Sequence, residues 1–391
     1  IYLDAYDESI ERAFDIMQSP NSDITIIVRG LVSADAEDTT GNYVDIDLAT
    51  YFNNNGYTPI SNFSGSLVGH TNTYTTVDAT TGEERPIRII SDQSFIESVG
   101  AGFYLDDVVI EYVPKSGSEI KITANNGNAG LFSTGSLNEA TITNLRIYID
   151  APINTTVALN TGSNINVGIL APEIINSTII NVSIDTVTYP SSDFTDSDSL
   201  LNVYFTTSSS AGDNSPISVD SLSVGMLAGR MYQSSTSSTM QVNGLNMSIH
   251  SNLINIDGSA RQNDSFRNTN FTNMYVGGYF GLIEREANAL RMNLSLQGIE
   301  RINSSNDENQ RVTVSHASAT NAYIAGYIGY NHGLDTLTLQ SNFTGGVDVY
   351  LNDTSSATSS FTTLHTGIIF GRADNTNVNA INFNSARFDG G

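Results

Sequence analysis

The chain has 391 residues, a formal net charge of −25 and no cysteine, so its length admits either two or three ordinary domains or one elongated repeat domain. With 41 acidic against 16 basic residues, the composition excludes the usual nucleic-acid-binding classes, which attract phosphate through lysine and arginine. Zinc fingers and thiol nucleophiles are excluded as well, and the sequence contains no apolar run long enough for a direct membrane span.

The first predicted element is an amphipathic helix over Asp7–Gln18. Its apolar residues recur at the spacing of one helix face, at Ile10, Ala13, Phe14 and Met17. We expect Asp7 or Ser9 to cap this helix and Pro20 to end it. The β-branched segment that follows, DITIIVRGLV, predicts a strand whose open end the helix covers. Weaker helical patterns lie around Phe95 and Glu286.

The next segment, VDIDLATYFNNNGYTPISNFSGSLVGHTNTYTT, resembles the entry sequence of GLUG-type repeat proteins, which precedes their glycine-apolar-glycine repeats. The positions that carry the resemblance are Asp45–Leu48, Pro59-Ile60, Phe63-Ser64-Gly65 and Gly69-His70, whereas Val68 stands where aspartate is usual. The resemblance implies a right-handed parallel β-helix in a secreted or surface-attached protein, often an adhesin, and it implies no catalytic residues. Independently of the family, Phe63 and Leu67 are expected in the core, with Gly65 and Gly69 at bends.

From residue 126 onward the chain carries an internal repeat. Each copy places a small residue before two or three apolar ones, then a polar turn and an alternating strand. The six copies are NAGLFSTG at Asn128, NVGILAPE at Asn166, SVGMLAGR at Ser223, VGGYFG at Val276, YIAGYIGY at Tyr323 and HTGIIFGR at His365. Strands of this kind bury their inward face against the turns above and below, which indicates a coil of parallel strands.

The sequence therefore predicts an all-β chain folded as one right-handed parallel β-helix, a solenoid, with a short N-terminal capping helix. The alternative is an antiparallel β-sandwich, which has no reason to repeat this block. We expect a cap at 1–22, opening coils with insertions at 23–125 and irregular glycine-apolar-glycine repeats at 126–391. Glycines should stand wherever a side chain would block the next layer, namely at Gly65, Gly69, Gly130, Gly168, Gly225, Gly229, Gly277, Gly281, Gly326, Gly329, Gly367 and Gly371.

Tyrosines concentrate around two adjacent repeats and form the candidate binding site. If the coils are in register, they stack as a ladder along one face, which could bind sugars or a protein partner. Aromatic ladders inside β-coils are also ordinary core features, so both interpretations stay open. The residues concerned are Tyr275, Tyr279, Tyr323, Tyr327 and Tyr330.

Catalysis on a β-helix would require carboxylates from neighbouring coils along one groove. The obvious acids, Asp45 with Asp47 and Asp106 with Asp107, are local pairs, although Asp106 and Asp150 could share a groove. The arginines that follow three repeats, Arg230, Arg285 and Arg372, are expected to neutralise an acidic edge. The five histidines are scattered singly and have no metal-site spacing.

No cofactor is predicted, with calcium as the one candidate metal. The loop DFTDSDS brings together Asp193, Asp196 and Asp198, whose hard oxygen ligands suit Ca²⁺. The loop lacks the glycine and final glutamate of an EF-hand, so a solvated loop is the alternative interpretation.

We therefore expect a non-enzymatic, secreted or cell-surface protein that is structural or adhesive. Its expected partners are a glycan or a cell-surface protein, or another copy or a further domain docked on the C-terminal strand edge. End-to-end docking of copies there would give a filament. The alternative is an extracellular lyase or glycoside hydrolase with acids along one groove.

Overall fold

The computed structural model describes most of the chain. The described residues are 1–20, 23–35, 42–70, 73–79, 81–114, 119–124, 127–160, 162–186, 199–207, 218–234, 240–258, 270–301, 310–315, 317–339, 347–352, 361–374 and 380–383. They form four long parallel sheets, one short hairpin and two helices. The prediction of a parallel β-helix is therefore confirmed, and the antiparallel sandwich is wrong.

Sheet I has fifteen strands and is bent along its length. Its strands are β1 (Tyr2–Leu3), β2 (Thr25–Val28), β3 (Ile46–Asp47), β4 (Ser66–Gly69), β7 (Arg88–Ser91), β8 (Tyr104–Asp106), β9 (Val109–Tyr112), β13 (Thr141–Thr143), β14 (Arg146–Ile149), β18 (Thr178–Ile180), β19 (Ser183–Thr186), β23 (Met240–Ile249), β27 (Met292–Arg301), β31 (Thr336–Leu339) and β35 (Ala380–Phe383).

The other three sheets have six strands each. Sheet II contains β10 (Ile120–Thr123), β15 (Ile153–Leu159), β20 (Ser199–Thr207), β24 (Asn252–Asp257), β28 (Gln310–Ser315) and β32 (Val347–Asn352). Sheet III contains β11 (Ala129–Gly130), β16 (Asn164–Gly168), β21 (Ser218–Gly225), β25 (Asn270–Gly277), β29 (Ser318–Ala325) and β33 (Phe361–Gly367). Sheet IV contains β12 (Leu137–Asn138), β17 (Ala171–Ile175), β22 (Ala228–Gln233), β26 (Phe280–Arg285), β30 (Ile328–His332) and β34 (Phe370–Ala373).

From β11 onward each coil visits sheets III, IV, I and II in that order, and its strands pair in parallel with their counterparts in the next coil, whereas the strands before β10 belong to sheet I alone, apart from the short hairpin. The predicted repeats lie at the junction of sheets III and IV, and they stack in register. Gly130 pairs with Gly168, Gly225 with Gly277, and Ala325 with both Gly277 and Gly367. The repeat inferred from sequence is thus one structural corner, reproduced in every coil.

Helices replace strands in the opening coils. The first helix, α1 (Asp7–Met17), connects β1 to β2 and buries the predicted apolar stripe. A second helix, α2 (Leu48–Asn55), connects β3 to β4. Asp47 is its N-cap, and the Asp47 carboxylate accepts a hydrogen bond from Thr50 N at 2.9 Å. The Phe14 ring of α1 packs edge-on against Phe52 of α2 at 5.5 Å, so the two helices share one cluster with the core.

Three predictions about helices are wrong: the N-cap of α1 and the two weaker helical patterns. The N-cap of α1 is Tyr6, without a side-chain cap bond, because the Ser9 hydroxyl instead bonds the backbone of Tyr2 and Asp4. Neither helical pattern around Phe95 or Glu286 forms a helix, since tertiary packing overrides such short patterns.

The hairpin of β5 (Thr75–Val77) and β6 (Glu84–Pro86) is the only antiparallel pair among the named strands and forms an insertion.

The bend of sheet I is made by a column of residues in the left-handed conformation. Asp107, Asn144 and Asn181 have φ of 56°, 51° and 54°, and Gly244 follows with 67°. Asn144 Nδ2 donates to Asp106 Oδ1 at 2.8 Å, and Asn181 Nδ2 donates to Asn144 Oδ1 at 3.1 Å. The amide ladder thus satisfies polar groups at a corner where asparagine tolerates positive φ.

Inside the coil, the core is continuous and apolar. Phe63 and Leu67 lie in it with 0% and 1% exposure, as the sequence predicted. Gly69 is confirmed as a close approach, because an added Cβ would overlap the carbonyl of Asp107. Gly65 is buried, and its carbonyl accepts a hydrogen bond from Tyr104 N at 3.1 Å.

Candidate functional site

The candidate site is a groove along the outside of the coil, where sheets III and IV meet. Two columns of in-register side chains define this outer groove. The sheet III column is Asn166, Ser223, Tyr275, Tyr323 and His365. The sheet IV column is Glu173, Arg230, Leu282, Tyr330 and Arg372.

The first glycine of each repeat makes the sharp turn between these sheets. At Gly225 and Gly277, an added Cβ would lie 2.4 and 2.2 Å from the carbonyl oxygen three residues later. Real Cβ contacts are never that short, so a larger residue would force the chain open. The predicted role of the glycines as places of close approach is therefore confirmed at this corner. Ala325 is the one in-register residue that is not glycine, and Gly326 follows it.

The second glycine of the repeat lets sheet IV approach the backbone of sheet III. An added Cβ at Gly229 would lie 2.5 Å from Ser223 O, and one at Gly329 would lie 2.6 Å from Val276 N. Gly281 and Gly371 make the same kind of contact. Both columns of the groove are therefore held by backbone contacts, and their side chains meet over the corner.

The C-terminal half of the groove is an aromatic stack. The rings of Tyr275 and Tyr323 are 5.6 Å apart and 11° from parallel, and Tyr323 and His365 are 5.4 Å apart at 10°. Tyr330 reaches across from sheet IV and stacks on Tyr275 at 5.6 Å and on Tyr323 at 5.1 Å. Four rings from two sheets thus form one continuous outer surface, here called the outer aromatic stack.

Arg372 closes the far end of this stack. Its guanidinium lies 5.4 Å from the centre of the Tyr323 ring and donates to the Tyr323 hydroxyl at 2.9 Å. It also pairs with Asp374, which lowers the pKa of that carboxyl. Burial, and then the nearby Asp374, raise the pKa of Tyr330 to about 12. Tyr330 is therefore a neutral hydrogen-bonding group at physiological pH.

The N-terminal half of the groove contains a cavity of about 310 Å³. Arg230 crosses it, donating to Glu284 Oε2 at 2.8 Å and to Glu173 Oε1 at 3.1 Å. Burial disfavours the Arg230 charge, but the two carboxylates outweigh burial and raise its pKa. The cavity is lined by Asn164, Asn166, Asp220, Ser221, Ser223, Arg230, Asn273, Tyr275, Leu282 and Glu284.

The five tyrosines chosen from the sequence divide into two sets. Tyr275, Tyr323 and Tyr330 lie in the outer aromatic stack. Tyr279 and Tyr327 lie inside the coil with 0% exposure and stack on each other at 6.0 Å. The Tyr279 hydroxyl donates to Gln297 O at 3.2 Å. The core interpretation is thus confirmed for Tyr279 and Tyr327. In the outer set Tyr275 and Tyr330 are half-buried, whereas Tyr323 is 5% exposed, and binding by this set stays a prediction.

The acids that the sequence paired have structural partners. Asp45 is bound by Arg85, and its Oδ1 accepts from Arg88 N at 2.9 Å. Burial would raise the pKa of Asp45, but these bonds outweigh it and lower the pKa. Asp106 accepts from Thr143 Oγ1 at 2.6 Å within the amide ladder, and Asp107 lies at the bend itself. The grouping of Asp106 with Asp150 and an arginine in one groove stays a prediction.

A different pair of acids, two coils apart, lies on the outer face of sheet I with a tyrosine between them. Glu111 pairs in register with Tyr148, and Tyr148 with Asp185. Burial raises the pKa of both carboxyls, although Arg88 opposes the shift at Glu111 and the Ser183 hydroxyl opposes it at Asp185. The sequence analysis missed this pair because the two acids are far apart in the chain and only the strand register aligns them.

All three arginines named from the sequence pair with carboxylates, as predicted. Arg230 and Arg372 share the sheet IV column, whereas Arg285 lies outside it and pairs with Asp335. Of the histidines, His365 belongs to the outer aromatic stack. The proposed calcium ligands Asp193, Asp196 and Asp198 lie outside the described residues. Within the described ranges, no cluster of three histidine or acidic side chains could hold a metal.

Comparisons with known proteins place no relative beside this chain: protein-family models, curated proteins and solved structures all gave no match. The resemblance to GLUG-type repeat proteins therefore stays a prediction from the residues quoted above. Among the described helices, α1 and α2 included, none is long and apolar enough to cross a membrane.

Proposed function

We propose that this chain is an extracellular adhesive module that binds a surface glycan in the outer groove. The observation that carries the proposal is the outer aromatic stack, in which Tyr275, Tyr323, Tyr330 and His365 are aligned with Arg372 on one outward face. Aromatic rings with polar rims are typical of surfaces that bind carbohydrate or protein.

The composition supports an extracellular setting. The chain is rich in Asn, Ser and Thr, which suits secreted β proteins, and its charge of −25 favours solubility. A rigid coil also favours binding. Both groove columns are fixed by backbone contacts, so little conformational entropy of the groove is lost when a ligand binds.

The test is a glycan array carrying neutral and acidic oligosaccharides, probed with the purified chain. The double variant Tyr330→Ala/Arg372→Ala should lose at least about tenfold in apparent affinity, because it removes one ring and the cation from the stack. Tyr104→Ala is the matched control, since Tyr104 is a half-buried tyrosine on the outer face of sheet I. Equal binding by the double variant and the control would refute this use of the groove.

The row Glu111, Tyr148 and Asp185 favours a second candidate, the cleavage of an extracellular polysaccharide. Strands two coils apart are separated by about 9–10 Å, and inverting glycosidases hold their carboxyl groups about 6.5–9.5 Å apart. A buried carboxyl with a raised pKa can act as a general acid. Release of reducing ends from a polysaccharide panel, abolished in Glu111→Gln, would support this candidate.

Self-assembly is the remaining part of the proposal. The last strands of the four sheets, β32 to β35, each pair on one side only within the described residues. Such an edge can accept another strand by backbone hydrogen bonds. We propose this edge as the place where a second copy or a further domain docks. Electron microscopy of the purified chain, with and without calcium, distinguishes filaments from single rods.

A further inference from the structure

The outer aromatic stack ends abruptly at Tyr275. Both rings that stack on Tyr275 in the described part of the chain, Tyr323 and Tyr330, belong to the following coil. The residue in register with Tyr275 in the preceding coil is Ser223, which has no ring to continue the column. One position of the stack is therefore left without a side-chain ring.

The 310 Å³ cavity opens at this position. Tyr275 and Ser223 both line it, together with Leu282 and the ion-paired Arg230 and Glu284. Strand neighbours lie about 4.8 Å apart, and Ser223 is small but fully covered, so a ring that stacks on Tyr275 must displace part of the cover of Ser223. The volume is at the lower end of the range of about 300–1,000 Å³ for ligand pockets, which fits one or two small rings.

Ser223 is also the polar group in the cavity that has no partner of its own. Its side chain is 0% exposed, and its Oγ makes no hydrogen bond in the structure. A buried hydroxyl without a hydrogen-bond partner loses its bonds to water and gains none in the protein, so native proteins rarely keep one. A ligand hydroxyl that enters the cavity would satisfy it.

The charges around the cavity select against anions. Glu173, Glu284 and Asp220 oppose the single Arg230, whose guanidinium is already shared between the first two. An acidic ligand would face an excess of like charge, which excludes it by repulsion. A neutral ring with hydroxyl groups can instead bond the amides of Asn166 and Asn273, which line the same cavity.

We propose that this cavity binds one neutral pyranose residue of a glycan, with its apolar face on Tyr275 and a hydroxyl on Ser223. The inference rests on the proposed glycan-binding function and names its specificity-determining position. The bound sugar takes the place of the missing ring, so the column continues as Ser223 with sugar, then Tyr275, Tyr323 and His365. Leu282 supplies an apolar wall beside the sugar.

The test uses two substitutions at Ser223 and the neutral glycan that gives the strongest signal with the wild-type chain on the array. Ser223→Tyr completes the stack with a protein ring and should weaken binding at least about tenfold. Ser223→Ala should weaken binding about threefold or more while the unfolding midpoint stays equal or rises, because it removes a hydroxyl that has no protein partner. Ser66→Tyr and Ser66→Ala are matched controls on the outer face of sheet I and should leave affinity unchanged.

The outcomes separate this inference from the proposed function. Unchanged affinity in Ser223→Ala and Ser223→Tyr, with loss in Tyr330→Ala/Arg372→Ala, overturns the cavity assignment and leaves glycan binding standing. Preference for uronic or sialic acids over neutral sugars overturns the neutral class. No glycan binding by the wild-type chain overturns both. If Ser223→Tyr does not fold, as judged by circular dichroism, the Ser223→Ala result decides.

Discussion

Replacing Gly281 by alanine tests whether backbone contact at the corner between sheets III and IV determines the fold. The added Cβ would lie 2.6 Å from Val224 N and 2.8 Å from both Gly229 O and Tyr275 O. All three are backbone atoms, so no side chain can move aside. Overpacking of this kind costs about 1–3 kcal/mol. Reduced freedom of the unfolded chain returns about 0.4–1 kcal/mol, which leaves a net loss of about 1.3 kcal/mol at the middle of both ranges.

The assay is urea unfolding followed by circular dichroism, with the wild-type m-value, the slope of the unfolding free energy against urea concentration, used for both proteins. For a chain of this length melting as one unit, a loss of 2 kcal/mol corresponds to only about 2–3 °C, so the denaturant midpoint is the sharper measurement. Gly162→Ala is the control, because Gly162 has φ +73° with nothing within 4 Å and so reports backbone strain alone. A Gly281→Ala protein as stable as wild type, or more stable, would refute the reasoning.

Three further predictions concern polar groups. Asp45→Asn should destabilise the fold by about 1.5–3 kcal/mol at pH 7. Because the pKa of Asp45 is lowered in the folded protein, the Asp45 carboxylate stabilises the fold above its unfolded-state pKa and loses this effect as the pH falls. The urea midpoints of the variant and the wild type should therefore converge below about pH 4. Asp185 has a raised folded pKa, so its ionisation costs stability as pH rises; Asp185→Asn should be the more stable protein at pH 7 and equal at pH 3 in the same titration. Asn144→Ala should cost about 1–2 kcal/mol because alanine resists φ 51° and breaks the amide ladder, whereas Asn144→Gly should cost less in the same assay; equal losses would show that backbone conformation plays no part.

Much of the fold could be predicted because the same small residues mark the sequence repeat and allow the close backbone contacts. Gly225, Gly277 and Gly367 mark the corner directly. The helix α2 was not predicted, since its apolar residues are few and its start depends on Asp47, one of two acids that suggested a catalytic pair. A cap and a catalytic carboxylate carry the same side chain, and only the neighbour within reach distinguishes them.

The candidate site was predicted in part. The tyrosines were found, but their separation into Tyr275 outside and Tyr279 inside depends on which way each faces at the corner. Ser223 and Arg230 could have been connected with Tyr275 by aligning the repeats on their first glycine. From the Asn166 repeat onward, the groove residues fall two positions before and five positions after the corner residue, which is Ala325 in one repeat and the first glycine in the others. The row of Glu111 and Asp185 has no such marker, because sheet I has no glycine at a fixed distance.

The same alignment explains how the groove can vary without loss of the coil. Inner residues that alternate with the sheet III column stay apolar, as at Val167, Val224, Val276 and Ile324. The outer column changes over the same coils from amide to hydroxyl to phenol. Because each coil is anchored by its own glycines and inner strand residues, an outer side chain can be replaced with little effect on the layers above and below. In the proposed glycan site, the chemistry offered to a ligand is therefore set one coil at a time, and replacing an outer residue should change binding more than it changes the fold.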